Sequence, residues 1–166
     1  MLTYDRFSTR IGQLTVVKSE QGVCFIGLPS ATIARVEAWV NRHFPGESLR
    51  PAPAPFEQEQ RELQEYVSGR RTTFTFPLDH RNTPFSIQVL EEVRRIPYGE
   101  TASYGDIARR VGRPRAARAV GRAVATNPLA LVIPCHRVIG SSGSLTGFGG
   151  GLALKKELLR LESRGS

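Results

Sequence analysis

Residues 103–125 read SYGDIARRVGRPRAARAVGRAVA, and this stretch decides the fold of the second half of the chain. Ser103 is a good N-cap for a short helix over about 104–111. Gly112 breaks that helix, and a second helix is predicted over about 115–125. Two short helices joined by a glycine-containing turn predict a helix-turn-helix, and a tight helical hairpin without a DNA-binding role is the alternative.

Positive charge is concentrated on these helices. The 166 residues include 23 Lys+Arg and 15 Asp+Glu, a formal net charge of +8, yet residues 1–80 contain nine of each sign. No acidic residue lies between Asp106 and Glu157. A polyanion, most simply nucleic acid, is therefore the expected partner, and a solvated basic face is the alternative. Six arginines crowd into this region: Arg109, Arg110, Arg113, Arg115, Arg118 and Arg122.

The second helix has few bulky side chains. Ala117, Ala119 and their neighbours Ala116, Gly121 and Ala123 would let its backbone approach a duplex closely, although small residues also serve tight helix packing. A slim helix suits the minor groove, where sequence preference is slight. Arg118, between two alanines, could reach into a base stack.

The first half of the chain predicts a small sheet with helices. Apolar and β-branched runs over residues 2–28 predict an antiparallel meander, followed by amphipathic helices over 31–44 and 56–68. The stretch PAPAP at 51–55 is a stiff connector, and TFTFPL at 73–78 predicts one more strand.

The charge balance changes near residue 80, so two domains are expected, 1–80 and 81–166. Thr83 is a good N-cap with Pro84 at the first helical position of the next helix. The predicted fold class is α+β, with a small N-terminal sheet-and-helix domain packed on a mainly helical C-terminal domain that contains the helix-turn-helix.

Composition excludes several classes of protein. With 40% hydrophobic and 23% charged residues the chain should fold, and no apolar run has the roughly 18 residues of a membrane span. The N-terminal residues lack the apolar stretch of a signal peptide. Two cysteines are too few for a disulfide framework, so we expect a reduced compartment, cytoplasmic or, in a eukaryote, nuclear.

Cys135 lies in an unusual setting. It follows Pro134 and precedes His136 and Arg137 in the acid-free region, so its thiolate should be favoured below the reference pKa of about 8.5. His136 is the nearest candidate base, but neighbours in a strand point to opposite faces, so the chain must turn there or a water must link them. Cys24, within an apolar run, fits an inert core residue.

The residues after Cys135 could complete a site. Gly140, Gly143, Gly147 and the triplet Gly149 to Gly151 form either a flexible hairpin or a wall of accessible amides, and Phe148 offers a flat face for a base. A final helix over about 152–163 contains Glu162, which is either a solvated acid or the group that orients His136.

With these motifs the chain resembles the alkylguanine-DNA alkyltransferases, also called methylated-DNA–protein-cysteine methyltransferases. The similarity is dense over the second half and concerns only the layout in the first. The matching motifs are Thr83-Pro84-Phe85, Ile96-Pro97-Tyr98-Gly99-Glu100-Thr101, Ser103-Tyr104-Gly105, Ala116-Ala117-Arg118-Ala119-Val120-Gly121, Asn127-Pro128, Ile133-Pro134-Cys135-His136-Arg137-Val138 and Thr146-Gly147-Phe148-Gly149-Gly150-Gly151.

The resemblance implies the chemistry of the site. Cys135 would be the nucleophile, deprotonated through a water by His136, which Glu162 would orient. Asn127 would tie the turn before the active-site segment. The alkyl group of O6-alkylguanine would pass irreversibly to the cysteine in one turnover per molecule, without a cofactor. In the base pocket lined by Val138, Phe148 and Gly149, the carbonyls of Cys135 and Val138 would accept from the guanine amine, and the Gly149 amide would donate to O6.

The resemblance also implies how DNA is held. Arg118 would fill the space of a nucleotide flipped out of double-stranded DNA, and Tyr104 would crowd its phosphate and hydrogen-bond the base. From the small residues and the charge of this region, independently of the resemblance, we expect Ala117 and Ala119 to line the helix surface and Arg115 and Arg122 to lie at phosphates. We expect a monomer without a membrane partner. Whether several molecules bind DNA cooperatively is left open.

The chain departs from the family pattern at two places. Family members commonly have tryptophan where Leu90 stands, which concerns core packing, and Asn-Gly where Ala125-Thr126 stands, which concerns the turn before Asn127. Some relatives bind zinc in the N-terminal domain, but no metal is expected here because Cys24, His43 and His80 are few and scattered.

Two other functions remain as alternatives. A cysteine hydrolase using Cys135, His136 and Asn127 predicts multiple turnovers and gives the arginine helix no role. A regulator without enzymatic activity predicts sequence preference and no loss when Cys135 is replaced.

Overall fold

The computed structural model describes residues 1–145 and 147–164. The chain divides into two compact units, Met1–Arg81 and Asn82–Ser166, one residue beyond the expected boundary. The fold class is α+β, as predicted, with the larger sheet in the first unit and mostly helices in the second. Among the described residues, no helix is long and apolar enough to cross a membrane.

The first unit is a four-stranded sheet with two helices. Its elements in chain order are β1 (Leu2–Thr9), β2 (Gly12–Lys18), β3 (Val23–Gly27), α1 (Ile33–His43), β4 (Leu49–Pro51) and α2 (Glu57–Val67). The strand order is β3-β2-β1-β4. The first three strands are the predicted antiparallel meander, whereas β4, which the sequence pattern does not predict, pairs parallel with β1.

The core of this unit lies between α1 and the sheet. Leu2, Val17, Val36 and Val40 are buried together with Cys24. The Cys24 thiol lies 3.5 Å from the Val17 carbonyl oxygen, and burial raises the pKa of this thiol to about 12. Cys24 is therefore an inert core residue, as predicted.

Residues 73–78, all of them described by the structure, form no strand beyond an isolated parallel bridge of Leu78 with Val23, so the prediction of a strand over this range is wrong. The Thr75 amide and hydroxyl donate hydrogen bonds of 2.7 and 2.6 Å to the Glu62 carboxylate on α2. The Phe74 ring lies 5.4 Å from the Tyr66 ring, also on α2. α2 therefore holds the first part of this segment, whereas its end pairs with β3 through a 2.9 Å hydrogen bond from the Val23 amide to the Pro77 carbonyl oxygen.

The second unit is built from helices and short connecting segments. Its elements are α3 (Pro84–Arg94), β5 (Ala102–Ser103), α4 (Tyr104–Arg110), α5 (Ala117–Ala125), a 3-10 turn (Cys135–Arg137), β6 (Val138–Ile139) and α6 (Leu152–Arg164). Leu90 is fully buried on α3, where it contributes to the apolar core.

The predicted caps start two of these helices. The Thr83 hydroxyl accepts a 3.2 Å hydrogen bond from the Ser86 amide at the start of α3, with Pro84 in the first turn. Ser103 and Asp106 form a reciprocal capping box at the start of α4, with both hydrogen bonds at 3.0 Å. Each cap satisfies amides that have no partner within the helix.

The helix-turn-helix is confirmed by α4 and α5. Gly112 lies in the connecting turn with a φ of +76°, a left-handed conformation that glycine adopts without a steric penalty. The second helix begins at Ala117 rather than near 115, so Arg115 lies in the turn.

One short parallel ladder connects the helix-turn-helix to the segment after Cys135. Ala102 of β5 pairs with Val138 of β6, and Ser103 pairs with Ile139. The N-terminus of α4 is therefore fixed beside the end of the cysteine turn.

Candidate active site

Cys135 begins a 3-10 turn, so the chain bends where a straight strand would separate it from His136. The turn is closed by a 2.9 Å hydrogen bond from the Arg137 amide to the Pro134 carbonyl oxygen. Cys135, His136 and Arg137 are 8%, 0% and 6% exposed, so a substrate must bring its reacting atom into a largely closed site. The turn removes the strict alternation of side chains that a straight strand would impose on Cys135 and His136.

His136 is paired with Glu162 of α6. Its Nε2 lies 2.8 Å from Glu162 Oε2, and both side chains are buried. A carboxylate only accepts hydrogen bonds, so Nε2 bears the hydrogen when the ring is neutral, which makes Nδ1 the basic nitrogen. Glu162 thus orients His136 and is not a solvated acid.

Arg137 holds the same carboxylate, which the sequence analysis missed. Its Nε and Nη2 donate to the two Glu162 oxygens at 2.7 and 2.8 Å, and its Nη1 donates to the Ile96 carbonyl oxygen at 2.6 Å. The guanidinium also lies 5.6 Å from the centre of the Tyr98 ring. The sequence signal was the scarcity of acids: only Glu157 and Glu162 follow Asp106.

The pKa values of the thiol and the imidazole differ from the sequence expectation in one respect. Burial raises the pKa of Cys135 above its ordinary value, and an Asn127 hydrogen bond and the charge of Lys155 only partly oppose this. The predicted low pKa of the thiol is therefore wrong, because basic neighbours in the sequence do not replace lost solvation. Burial lowers the pKa of His136 despite Glu162, so the resting pair is a thiol and a neutral imidazole.

Asn127 ties the segment before the cysteine turn. Its Nδ2 donates to the Ile133 carbonyl oxygen and its Oδ1 accepts from the Leu129 amide, each at 2.9 Å. Within this segment Leu131 is buried with a φ of +72°, a strained conformation for a residue with a side chain. The side-chain bonds of Asn127 help to hold that backbone shape.

Lys155 is a second buried residue that the sequence analysis missed. Its side chain on α6 is fully buried, and its Nζ donates a 2.7 Å hydrogen bond to the Val138 carbonyl oxygen. Burial lowers the pKa of Lys155, and Cys135 opposes that shift. Lys155, Leu158 and Glu162 are spaced three and four residues apart, which places them on one helix face, so the spacing was a usable signal.

The structure places the predicted DNA-facing residues on one exposed side of α5. Ala117, Arg118 and Arg122 are exposed and Ala119 is partly exposed, while Val120, Ala123 and Val124 face the core. Arg115 is exposed in the preceding turn.

The arginines of this region fall into two groups. Arg109 forms an ion pair with Asp106, and the Arg113 guanidinium lies over the Phe85 ring. Within the described residues, the others have no carboxylate at ion-pair distance; these are Arg110, Arg115, Arg118 and Arg122. Their charge is available to a polyanion.

Tyr104 and the glycine-rich segment complete the set of predicted residues. Tyr104 is partly buried at the start of α4, and a Cβ at Gly121 of α5 would lie 3.9 Å from its ring. Phe148 is partly buried and Gly149 exposed, in a turn closed by a 2.9 Å bond from the Gly151 amide to the Phe148 carbonyl oxygen. Thr146, part of the motif quoted above, lies outside the described residues.

Comparisons with known proteins identify both units. Residues 2–80 match the family model described as 6-O-methylguanine DNA methyltransferase, ribonuclease-like domain. Residues 84–164 match the DNA binding domain of 6-O-methylguanine DNA methyltransferase.

Relatives match across most of the chain. The inducible methylated-DNA–protein-cysteine methyltransferase of Bacillus subtilis is 40% identical over 151 residues, 91% of this chain and 84% of the relative. The Methanosarcina acetivorans protein of that name is 37% identical over 162 residues, 96% of this chain and 97% of the relative. The crystal structure of Mycobacterium tuberculosis OGT in complex with DNA matches with a TM-score of 0.85 and 38% identity, over 99% of this chain and 94% of that one.

This chain belongs to the methylated-DNA–protein-cysteine methyltransferase family, DNA repair proteins that transfer an alkyl group from O6-alkylguanine to a cysteine. Family membership sets aside both the cysteine hydrolase and the regulator without enzymatic activity.

Proposed function

We propose that Cys135 accepts the alkyl group from O6-alkylguanine in duplex DNA, irreversibly and once per molecule. The observation that carries this proposal is the turn on which Cys135 is followed by a neutral, buried His136 held by Glu162. A buried thiol with a raised pKa needs a base to remove its proton, and His136, oriented by Glu162, can serve as that base.

The reaction balances as a displacement at carbon. His136 takes the thiol proton through a water, the Cys135 sulfur attacks the alkyl carbon, and the bond from that carbon to O6 breaks. The electron pair goes to the guanine, which receives the proton as it leaves. The product is a thioether with no activated carbon, so water does not regenerate the thiol.

The exposed face of α5 supports a duplex substrate. The target base is stacked in DNA and must be flipped out to reach a site in which the cysteine is only 8% exposed. Arg118 is long and exposed on a helix of small residues, which suits it to fill the vacated space, while Arg115 and Arg122 would neutralise phosphates. The relative from M. tuberculosis has been solved in complex with DNA.

Contacts to the flipped base are expected from Tyr104, Phe148 and Gly149. The Val138 carbonyl oxygen accepts from Lys155 and has a second lone pair for the guanine amine. The Gly149 amide would donate to O6 as negative charge develops there.

The protein is proposed to act as a monomer, because Cys135, His136 and Glu162 come from one chain. Whether it binds DNA cooperatively is read from the shape of a binding isotherm on long duplexes. A reducing, cytoplasmic location is also proposed, since both Cys24 and Cys135 are free and the reaction requires a free thiol.

Intact mass spectrometry tests the function. Incubation with excess duplex containing O6-methylguanine should add one methyl group per protein, and peptide mapping should place it on Cys135. Cys135→Ser should gain none, whereas Cys24→Ser, the matched control, should react like the wild type. Product in large excess over protein, or methylation of Cys135→Ser, would contradict the proposal.

A further inference from the structure

Arg137 is buried, yet its guanidinium is fully engaged in the site. Two of its nitrogens hold Glu162 at 2.7 and 2.8 Å, and the third donates to the Ile96 carbonyl oxygen at 2.6 Å. His136 shares one Glu162 oxygen with this guanidinium. The imidazole therefore faces an ion pair and not an isolated carboxylate.

That difference, together with burial, bears on the charge of His136. A lone carboxylate in a buried site stabilises an imidazolium strongly, because charges interact more in a low dielectric. Burial lowers the pKa of His136 most, Glu162 raises it, and the charges of Arg137 and Lys155 oppose Glu162.

The described charged and titratable groups near His136 come from its own turn and from the elements around it. From α6 it faces Glu162 and Lys155, from its own turn Cys135 and Arg137, and Tyr98 lies beyond the guanidinium. The Glu162 carboxylate is thus already paired with the Arg137 guanidinium before the imidazole takes any proton.

We propose that Arg137 is a positioning residue of the alkyl transfer, which neutralises Glu162 so that His136 rests uncharged and can accept the Cys135 proton. The proposal rests on the proposed function. The proton moves from Cys135 Sγ to His136 Nδ1 through a water, and it leaves for the guanine as the bond from carbon to O6 breaks. While His136 holds the proton, its imidazolium and the Arg137 guanidinium share the single Glu162 carboxylate. Arg137 therefore also favours release of that proton from His136.

A pH profile separates this role from a merely structural one. Single-turnover transfer from free O6-benzylguanine to Cys135 is measured between about pH 5.5 and 9, which removes DNA binding from the readout. In Arg137→Met, Glu162 is uncompensated, so the imidazole stays protonated to higher pH and the acid limb moves upward. A shift of one pH unit gives about a tenfold loss on that limb with a much smaller loss at high pH.

Matched variants control for loss of structure. Arg137→Lys retains the charge and should keep the acid limb within about half a pH unit of the wild type. Arg160→Met, an exposed arginine on α6, should change nothing. The double variant Arg137→Met, Glu162→Gln removes both charges and should move the acid limb back down. A loss in Arg137→Met that is equal at every pH would overturn the proposal.

A measurement on the wild-type protein can overturn the proposal even if Arg137→Met does not fold. Nitrogen NMR of the His136 ring should show a neutral imidazole with its hydrogen on Nε2 at neutral pH, and a protonated ring at neutral pH would overturn the proposal. This result does not depend on repair activity. Absence of S-alkylcysteine at Cys135 in the wild type would instead contradict the proposed function.

Discussion

Lys155 Nζ donates a 2.7 Å hydrogen bond to the Val138 carbonyl oxygen, which joins α6 to the strand that leaves the cysteine turn. The ammonium is fully buried, and its charge favours the thiolate form of Cys135. Lys155 therefore both donates a hydrogen bond to the backbone and interacts electrostatically with Cys135.

Replacement of this ammonium should slow the reaction. Lys155→Met removes the charge, so the pKa of Cys135 should rise further, and one unit corresponds to about a tenfold loss in thiolate at neutral pH. The rate of thiol modification by a small disulfide reagent, followed against pH, measures the change. Lys156→Met, its exposed neighbour, should behave as the wild type. An unchanged thiol profile in Lys155→Met would contradict this prediction.

Arg118→Ala should impair repair of duplex DNA more than transfer from free O6-benzylguanine. The side chain is proposed to support base flipping, and the free base needs no flipping. We expect the rate ratio between the two substrates to change about tenfold or more, the equivalent of a lost interaction of about 1.4 kcal/mol. Arg70→Ala, an exposed arginine of the first unit, is the control. Equal losses on both substrates would disprove the role.

Binding to undamaged duplex should weaken steeply with salt. Arg110, Arg115 and Arg122 have exposed charges, and each phosphate that they neutralise releases counterions. Replacement of any one by alanine should lower the slope of log affinity against log salt by about one. Fluorescence anisotropy across a salt series gives that slope, and several undamaged sequences should bind nearly alike. Salt-independent binding would count against an electrostatic footprint.

Glu62 should make the free energy of unfolding of the first unit depend on pH in the acid range. Burial raises its pKa, but hydrogen bonds from Thr75 and Gln58 and the charge of Arg71 lower it more, so the net pKa lies below the ordinary value. A carboxylate whose pKa is lower in the folded state stabilises the folded protein fully at pH values above its unfolded-state pKa of about 4.3. That contribution is lost as the pH falls through the folded-state pKa.

Glu62→Gln should therefore destabilise the protein by about 1–3 kcal/mol at neutral pH, with a difference that shrinks in acid. Urea unfolding at several pH values measures it. Glu57→Gln makes the same change at an exposed position of α2 and should have little effect. A Glu62→Gln deficit that stays constant into strong acid would show that the carboxylate charge contributes nothing.

Local signals in the sequence predicted those parts of the fold whose causes are local. Thr83 and Ser103 cap the helices that follow them, because a cap acts within a few residues. The segment 73–78 was misassigned because its partner, Glu62, lies on a helix that precedes it, and alternation alone does not distinguish packing on a helix from packing in a sheet.

The sequence predicted which residues form the candidate site but not the pKa shifts of those residues. Cys135, His136 and Glu162 could be named from the motif and from its resemblance to a family. The effect of burial on the thiol pKa could not be predicted from the sequence, because the solvation of the thiol depends on how the whole unit packs. Arg137 looked like one more basic residue of a basic region until the structure paired it with Glu162.

The two residue pairs that join β5 to β6 also set a minimum size for any transplanted version of this chemistry. Ser103, which pairs with Ile139, is also the cap of α4, and Val138, which pairs with Ala102, is also the exit from the cysteine turn. An engineer who moved the cysteine turn alone would leave its far end unanchored. The smallest portable unit therefore spans from β5 through α6, because α6 contributes Glu162, which orients His136.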